Sequence, residues 1–94
     1  MAKLNPGEIK AALPTVKEWK KKGASITRTF QFKNFVGSTD FVKKVARAAE
    51  KAQHHPDIDI RWNKVTLTLA THSEGGLTRK DFDLAKKTDA LATA

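Results

Sequence analysis

Apolar and polar residues alternate with a period of two in three segments, and these, with a shorter segment before Gly23, predict two β-hairpins. The first hairpin joins a strand at about 17–21 to a longer strand at about 25–33, across a turn near Gly23. The second joins a strand over 57–62 to a strand over 65–72. The two longer strands each present an apolar face, formed by Ile26, Phe30, Phe32, Val65, Leu67 and Leu69.

Apolar residues recur at helical spacing between the two hairpins, which predicts a central helix from about Thr39 to Gln53. Ser38 and Thr39 are the candidates for its N-cap. Pro56 fixes its own φ and disfavours helical geometry in the residue before it, so the helix should stop at about His54.

Helix-start signals also lie near both ends of the chain. Asn5 and Pro6 provide a cap and a first helical position for a short helix that cannot pass far beyond Pro14. Thr78 caps a last helix, and Asp81, three residues on, forms an acidic variant of the capping box. The element order is therefore a minor helix followed by β-β-α-β-β-α. This order predicts a two-layer α+β fold, in which a four-stranded antiparallel sheet carries the longer helices on one face.

The chain has 94 residues, of which 39% are hydrophobic, and we expect residues 1–94 to form a single domain. It has no cysteine, which removes disulfide and thiolate chemistry and mildly favours a reducing compartment. No apolar run approaches the roughly 20 residues that span a bilayer, and the N-terminus lacks the apolar core of a signal peptide. We therefore expect a soluble cytoplasmic protein without a membrane partner.

The formal net charge of +8 and the pI near 10.0 raise the question of nucleic-acid binding. The only run of three lysines is Lys20 to Lys22, and the other lysines are scattered in pairs or alone. The chain carries no recognition-helix, zinc-finger or RNA-binding motif, so the charge is interpreted as a solvated surface and no nucleic-acid partner is expected. An anionic small molecule or a weak association with a polyanion stays open.

The candidate chemistry lies in the histidines, because the ordinary pKa of an imidazole, about 6.5, lets it exchange a proton near neutral pH. His54 and His55 stand side by side before Pro56, and His72 ends the predicted strand over 65–72. Such a set is a candidate for general acid and base catalysis. Each histidine taken singly is also compatible with an ordinary, partly exposed side chain, so it is their joint spacing that favours a site.

The histidines belong to a longer spaced set, formed by Glu50, His54, His55, Pro56, Trp62, His72 and Asp81. In this set the chain resembles the pterin-4a-carbinolamine dehydratases, whose pattern is an ionisable residue, a His-His-Pro core, a downstream aromatic residue, a third histidine and a final aspartate. The resemblance covers nearly the whole chain from about Trp19. It implies a hydro-lyase that dehydrates 4a-hydroxytetrahydrobiopterin to quinonoid dihydropterin, without a metal or bound cofactor. That reaction recycles the pterin of aromatic amino acid hydroxylases.

The family motif implies a role for each matched polar residue. His54 and His72 are the pair assigned to proton transfer, with the acid and the base not distinguished, and His55 binds and orients the substrate. Glu50 tunes or orients His54 from the preceding helical turn. Asp81 either holds an imidazole or simply caps its helix.

The remaining matched residues have structural as well as functional interpretations. Trp62 and Trp19 are candidate apolar walls for a flat pterin, although tryptophans are also typical of a protein core, and Pro56 supports the site by pinning the histidines. A zinc site is not predicted, because adjacent histidines on an extended segment tend to point apart and no cysteine or His-Glu-x-x-His motif is present.

The resemblance also implies an oligomer. Members of the family form dimers across sheet edges, for which an unpaired edge strand gives a physical reason, and some form tetramers by packing their last helices together. Lys86 and Lys87 depart from the apolar face expected of such a tetramer, so a homodimer is preferred and the tetramer stays open. A second hypothesis, based on the charge and the exposed edge, is a non-catalytic dimeric module that binds a protein partner or a polyanion.

Overall fold

The computed structural model describes residues 2–93. Its elements, in chain order, are α1 (Pro6–Ala12), a 3₁₀ helix (Leu13–Val16), β1 (Lys20–Lys22), β2 (Ser25–Gln31), α2 (Phe35–Ala52), β3 (Asp57–Arg61), β4 (Lys64–Leu69), a 3₁₀ turn (His72–Glu74) and α3 (Arg79–Ala92). The strands form one antiparallel sheet in the order β1-β2-β4-β3. The predicted α+β fold with a four-stranded antiparallel sheet is confirmed.

The core lies between one face of the sheet and the two longer helices. Val65, Leu67 and Leu69 alternate along β4 and are fully buried, whereas Thr66 and Thr68, which point to the other face, are half-buried. The helices α2 and α3 pack against each other, and their buried side chains join those of β2 and β4 in one cluster. The alternation of β4 therefore places its polar face away from the helices.

Arg28 interrupts the apolar alternation of β2, and the fold provides a partner for it. Its guanidinium donates a hydrogen bond of 2.7 Å to Asp89 on α3 and lies 4.2 Å from the centre of the Phe30 ring. Trp19 donates its ring N–H to the same carboxylate at 2.8 Å. The polar residue in the apolar row thus joins β2 to α3 through a half-buried ion pair.

The first strand begins later than the predicted 17–21 and covers only Lys20–Lys22. The backbone N–H of Trp19 donates to the carbonyl of Val16 at 2.9 Å, so the chain is still in a turn at Trp19. Val16 and Trp19 are buried in the core. The extended strand therefore starts after Trp19, because Val16 and Trp19 are turned into the core.

The central helix starts at Phe35, four positions before the predicted Thr39. Asn34 is the N-cap, and its side-chain oxygen accepts from the backbone N–H of Gly37 at 2.8 Å. The prediction of Ser38 or Thr39 as the cap was wrong, and Ser38 lies inside the helix, fully buried. The helix ends as predicted, because Gln53 adopts a left-handed conformation with φ 52°.

The turn of the second hairpin lies one residue earlier than the predicted turn at residues 63–64. Arg61 pairs with Lys64, so Trp62 and Asn63 form a two-residue loop, and Trp62 has left the strand with φ 51°. β4 ends at Leu69 instead of continuing over 65–72. His72 is therefore not at the end of a strand but in the 3₁₀ turn that follows it.

No helix among the described residues 2–93 is both long enough and apolar enough to cross a membrane.

Candidate active site

His54 lies at the point where α2 gives way to the chain leading to β3. The left-handed Gln53 turns the backbone, and the N–H of His54 donates to the carbonyl of Ala49 at 3.1 Å. The side chain of His54 is 10% exposed, and its Nε2 lies 2.5 Å from Oδ1 of Asp81. The end of α2 thus directs this imidazole to the start of α3.

Asp81 is fully buried and receives three hydrogen bonds. Its Oδ1 is paired with His54, and its Oδ2 accepts from the hydroxyl of Thr71 and from the backbone N–H of Thr78, both at 2.9 Å. The last bond belongs to the capping box of α3. A carboxylate is an acceptor only, so Nε2 of His54 carries the proton of their bond. The hydroxyl of Thr78 then donates to that of Thr71 at 2.8 Å, because the Thr71 proton is used by Asp81.

His72 follows Thr71 directly and is held by a short closed turn. The backbone of Thr71 pairs with Gly76 across this turn, and the left-handed Gly75 returns its N–H to the carbonyl of His72 at 3.1 Å. His72 is exposed and lines a shallow cavity of about 300 Å³, whose other lining residues are Ala24, Ser25, Ala70, Gly75 and Gly76. The chain of contacts from His54 through Asp81 to Thr71 therefore ends one residue from the second histidine.

His55 points away from Asp81 and pairs with Glu50. Its Nε2 is in contact with Oε2 of Glu50, and both side chains are largely exposed. The expectation that Glu50 orients His54 is corrected here, because the left-handed Gln53 takes His54 off the face of α2 that carries Glu50. Glu50 therefore acts on the neighbouring histidine.

The two tryptophans lie in opposite environments. Trp19 is 3% exposed and packs edge-on against Phe30, so it is a core residue and forms no pocket wall. Trp62 is 71% exposed on the tip of the β3–β4 hairpin and is free to contact a ligand. Pro56 is half-buried and leads the chain from the histidines into β3.

Two members of the network, Thr71 and Thr78, are not predicted as site residues from the sequence. Thr78 was predicted only as a helix cap, and nothing local to Thr71 distinguishes it from the other threonines of β4 and its extension. The signal that was available is its place directly before His72, at a point where the strand ends. Among residues 2–93 no three histidine, aspartate or glutamate side chains gather in a group that could hold a metal ion.

The arrangement is suited to proton transfer to and from a small molecule. His54 has one ring nitrogen bound to a buried carboxylate, which leaves Nδ1 as the nitrogen available to a ligand. The carboxylate is itself held by Thr71 and Thr78, so the ring has a defined orientation. His72 provides a second, exposed imidazole next to the same network.

Comparison with known proteins decides the family. The sequence model of the family described as pterin 4 alpha carbinolamine dehydratase matches residues 2–91. The chain belongs to this family. Relatives named provisionally as pterin-4-alpha-carbinolamine dehydratases include one from Picosynechococcus sp., 53% identical over 95% of this chain and 97% of its own. Another, from Nocardia farcinica, is 51% identical over 95% of this chain and 94% of its own.

Solved structures support the same fold for this pterin dehydratase family member. The crystal structure of a transcriptional coactivator/pterin dehydratase from Brucella melitensis is 40% identical, with a TM-score of 0.92 over 96% of this chain and 98% of that one. A pterin dehydratase-like protein identified as a RuBisCO assembly factor in the alpha-carboxysome is 23% identical, with a TM-score of 0.68 over 81% of this chain and 88% of that one. The second likeness concerns the fold alone.

Proposed function

We propose that this chain is a hydro-lyase that dehydrates 4a-hydroxytetrahydrobiopterin, or a closely related 4a-hydroxypterin, to the quinonoid dihydropterin. Membership of the pterin-4-alpha-carbinolamine dehydratase family supports the reaction class. The observation that carries the proposal is the buried contact between His54 and Asp81, joined through Thr71 to the turn that holds His72.

The reaction requires one proton to be supplied and one to be removed. The C4a–O bond breaks and the hydroxyl leaves as water with a proton from a general acid. N5 loses its proton to a general base, and its electrons form the C4a–N5 double bond. His54 and His72 divide these two transfers, since each offers an imidazole next to the network. The step needs no bound cofactor or metal, because the pterin is the substrate and no electrons are exchanged with a third group.

His55 and Glu50 bind and orient the substrate beside the proton-transfer pair. Their side chains are in contact with each other and exposed, next to His54 in the chain. Trp62 offers a flat apolar surface to the pterin ring, as an exposed aromatic side chain can. The quinonoid dihydropterin would then be reduced in a separate reaction to the tetrahydropterin that aromatic amino acid hydroxylases use, so this activity would be one step in recycling that pterin.

The test is a stopped-flow pterin assay, measured over the uncatalysed dehydration. We expect His54→Ala and His72→Ala each to lower turnover by roughly 100-fold or more, since general acid or base catalysis contributes about 10²- to 10⁴-fold. The double variant should lose measurable catalysis while circular dichroism shows an intact fold. His55→Ala provides the contrast and should raise KM more than it lowers kcat. Near-wild-type turnover in the double variant would overturn the assignment of the pair.

A further inference from the structure

A cavity of about 480 Å³ lies between α1, the turn that joins β1 to β2 and the turn that follows β4. We call it the α1 cavity. Its volume is within the range of about 300–1,000 Å³ that is typical of small-molecule sites. The apolar side chains that line it include Leu4, Pro6, Ile9, Leu13 and Leu77, and the charged ones are Lys3, Lys10 and Lys21. An apolar surface with a few charged groups suits a ligand that has an apolar body and an anionic end.

The N-terminal segment, which forms one wall of the α1 cavity, is fastened to the rest of the fold. The backbone N–H of Leu4 donates to the carbonyl of Leu77 at 2.8 Å. Asn5 then starts α1 through both halves of a capping box. Three apolar residues of this segment are half-buried and pack against the core: Leu4, Ile9 and Leu13. Because the wall is held at several points, the cavity has a defined shape.

The three lysines of the α1 cavity carry charge that the described chain does not neutralise. Among residues 2–93 none of them forms an ion pair, and no acidic residue lines the cavity. Lys21 donates to the carbonyl of Gly23 at 2.7 Å, which leaves two of its three ammonium protons for a ligand. The stem of Lys3 lies over Gly76, where an added Cβ would come within 2.8 Å of it. An anion in the cavity would therefore meet cations whose side chains are already placed.

The α1 cavity adjoins the shallow cavity that His72 lines. The two share Ala24, Gly75 and Gly76, which have the smallest side chain or none. Gly75 is left-handed, with φ 73°, a conformation that favours glycine. The junction thus consists of backbone and one methyl group, so a ligand held at His72 has an open path into the α1 cavity.

We propose that the α1 cavity holds the side chain that the pterin substrate carries at C6, and that it selects a side chain in which an aromatic ring is followed by carboxylates. The p-aminobenzoylglutamate tail of a folate has this chemistry. The proposal rests on the proposed dehydratase function. C6 is bonded to N5, the atom that gives up its proton, so the side chain begins next to the reacting atoms and to His72.

The lining of the α1 cavity favours this tail over a short polar side chain. The aromatic ring would lie against the apolar lining, and the carboxylates would form charge-assisted hydrogen bonds with the lysines. The dihydroxypropyl chain of biopterin has neither a charge nor an apolar group of that size, so it would leave both parts of the cavity without a partner. The cavity would therefore discriminate between pterins by their side chains.

The test compares two stable ligands that share the dihydropterin ring, 7,8-dihydrofolate and 7,8-dihydrobiopterin, by isothermal titration calorimetry on the full chain. We expect dihydrofolate to bind about tenfold or more tightly than dihydrobiopterin. The fragment p-aminobenzoylglutamate alone should bind with a Kd on the order of 0.1–1 mM, as expected for a ligand of its size. Glutamate, which lacks the ring, and 4-aminobenzamide, which lacks the carboxylates, should each bind about fivefold or more weakly than the fragment.

The variant that tests the lysines is Lys10→Ala with Lys21→Ala. It should reduce the ratio of the two dihydropterin affinities by about fivefold or more, because the carboxylates lose their partners. The matched control is Lys43→Ala with Lys44→Ala on the exposed side of α2, which makes the same change in net charge. The control should change the ratio by less than about twofold. Circular dichroism should show both double variants folded.

Equal affinities for the two dihydropterins in a chain that dehydrates the short-chain pterin would overturn this inference and leave the proposed function standing. Equal losses in the two lysine variants would also overturn it, since the preference would then depend on net charge alone. Tighter binding of decanoate than of p-aminobenzoylglutamate would replace the aromatic tail with an aliphatic carboxylate. Binding of the fragment without binding of either dihydropterin would overturn the proposed function, and with it the assignment of the tail to a pterin.

Discussion

The carboxylate of Asp81 completes the capping box of α3 and pairs with His54 through its other oxygen. The sequence leaves a choice between these two roles, and the geometry allows both because each oxygen faces a different group. Thr71 adds the third donor. A single buried side chain thus links the start of a helix, the end of a strand and the candidate catalytic ring.

We expect Asp81→Asn to lower both stability and turnover. The amide nitrogen cannot accept from His54, Thr71 or Thr78, so at least one buried donor loses its acceptor, at a cost of about 1–3 kcal/mol in the free energy of unfolding. A misplaced His54 ring should reduce kcat by roughly 10- to 100-fold. Urea denaturation and the pterin assay measure the two effects. Asp83→Asn, an exposed change on the same helix, is the control, and an equal loss there would show that the charge, not the network, matters.

The two tryptophans lie in different environments, so the same residue type should contribute differently to stability at each position. Trp62 is exposed and has a left-handed backbone, which is costly for a bulky L-residue by about 1–2 kcal/mol. Trp62→Asn should therefore leave the free energy of unfolding unchanged or raise it by up to about 1 kcal/mol, since asparagine tolerates this conformation. Trp19→Ala should lower it by about 3–5 kcal/mol.

The same Trp62→Asn variant tests the proposed contact with the pterin. If the exposed ring covers the substrate, KM should rise while the stability is kept. An unchanged KM would remove Trp62 from the site, and a marked loss of stability would contradict the strain argument.

Local sequence patterns predict the helices and strands, but they do not predict every residue at which a helix or strand begins or ends. Asn34, Ser38 and Thr39 are each able to cap α2, and the structure uses the first of them. Ser38 is fully buried inside the helix, against the core that the sheet supplies. Tertiary packing thus lets the helix begin at Phe35, N-terminal to the start that a Ser38 or Thr39 cap would set.

This choice of cap predicts a difference in stability between two similar substitutions. Asn34→Ala removes the acceptor for the N–H of Gly37 and should lower the free energy of unfolding by about 0.5–2 kcal/mol. Thr39→Ala, inside the helix, should change it by less than about 0.5 kcal/mol, because alanine is the better helix former. Thermal unfolding of the two variants is the measurement, and the reverse order would return the cap to Thr39.

The molecule has two edge strands of different character. β1 consists of three exposed lysines, a composition that discourages pairing with another sheet. β3 has no lysine or proline, and its Ile58 and Ile60 are each 39% exposed on the face that carries the helices. Among residues 2–93 the other exposed large apolar residues are Phe35, Val36 and Trp62.

We propose that two copies pair through β3 to form a homodimer. An antiparallel pair centred on Asp59 would place Ile58 opposite Ile60 and Asp57 opposite Arg61, which favours association. Ile60→Lys should make the chain monomeric in analytical ultracentrifugation, whereas Ala46→Lys, on the exposed side of α2, should not. A dimer that survives Ile60→Lys would exclude β3 as the interface. A tetramer through α3 is opposed by the charges of Lys86 and Lys87.

The amino-acid order alone is enough for the parts of this protein that depend on short-range rules. The period of the apolar residues predicts the hairpins and helices, Pro56 predicts the end of α2, and the joint spacing of the histidines points to the family. These features depend on backbone sterics and side-chain alternation over a few residues, so they can be derived from neighbours along the chain.

The tertiary structure decided which of these groups meet. The pairing of His54 with Asp81 joins residues on two separate helices, and the pairing of Glu50 with His55 depends on one left-handed residue, Gln53. Thr71 enters the network only because β4 ends beside the start of α3. Such contacts depend on how the helices and strands pack in space. The local sequence pattern does not predict them, because each of these side chains could pair with many different residues.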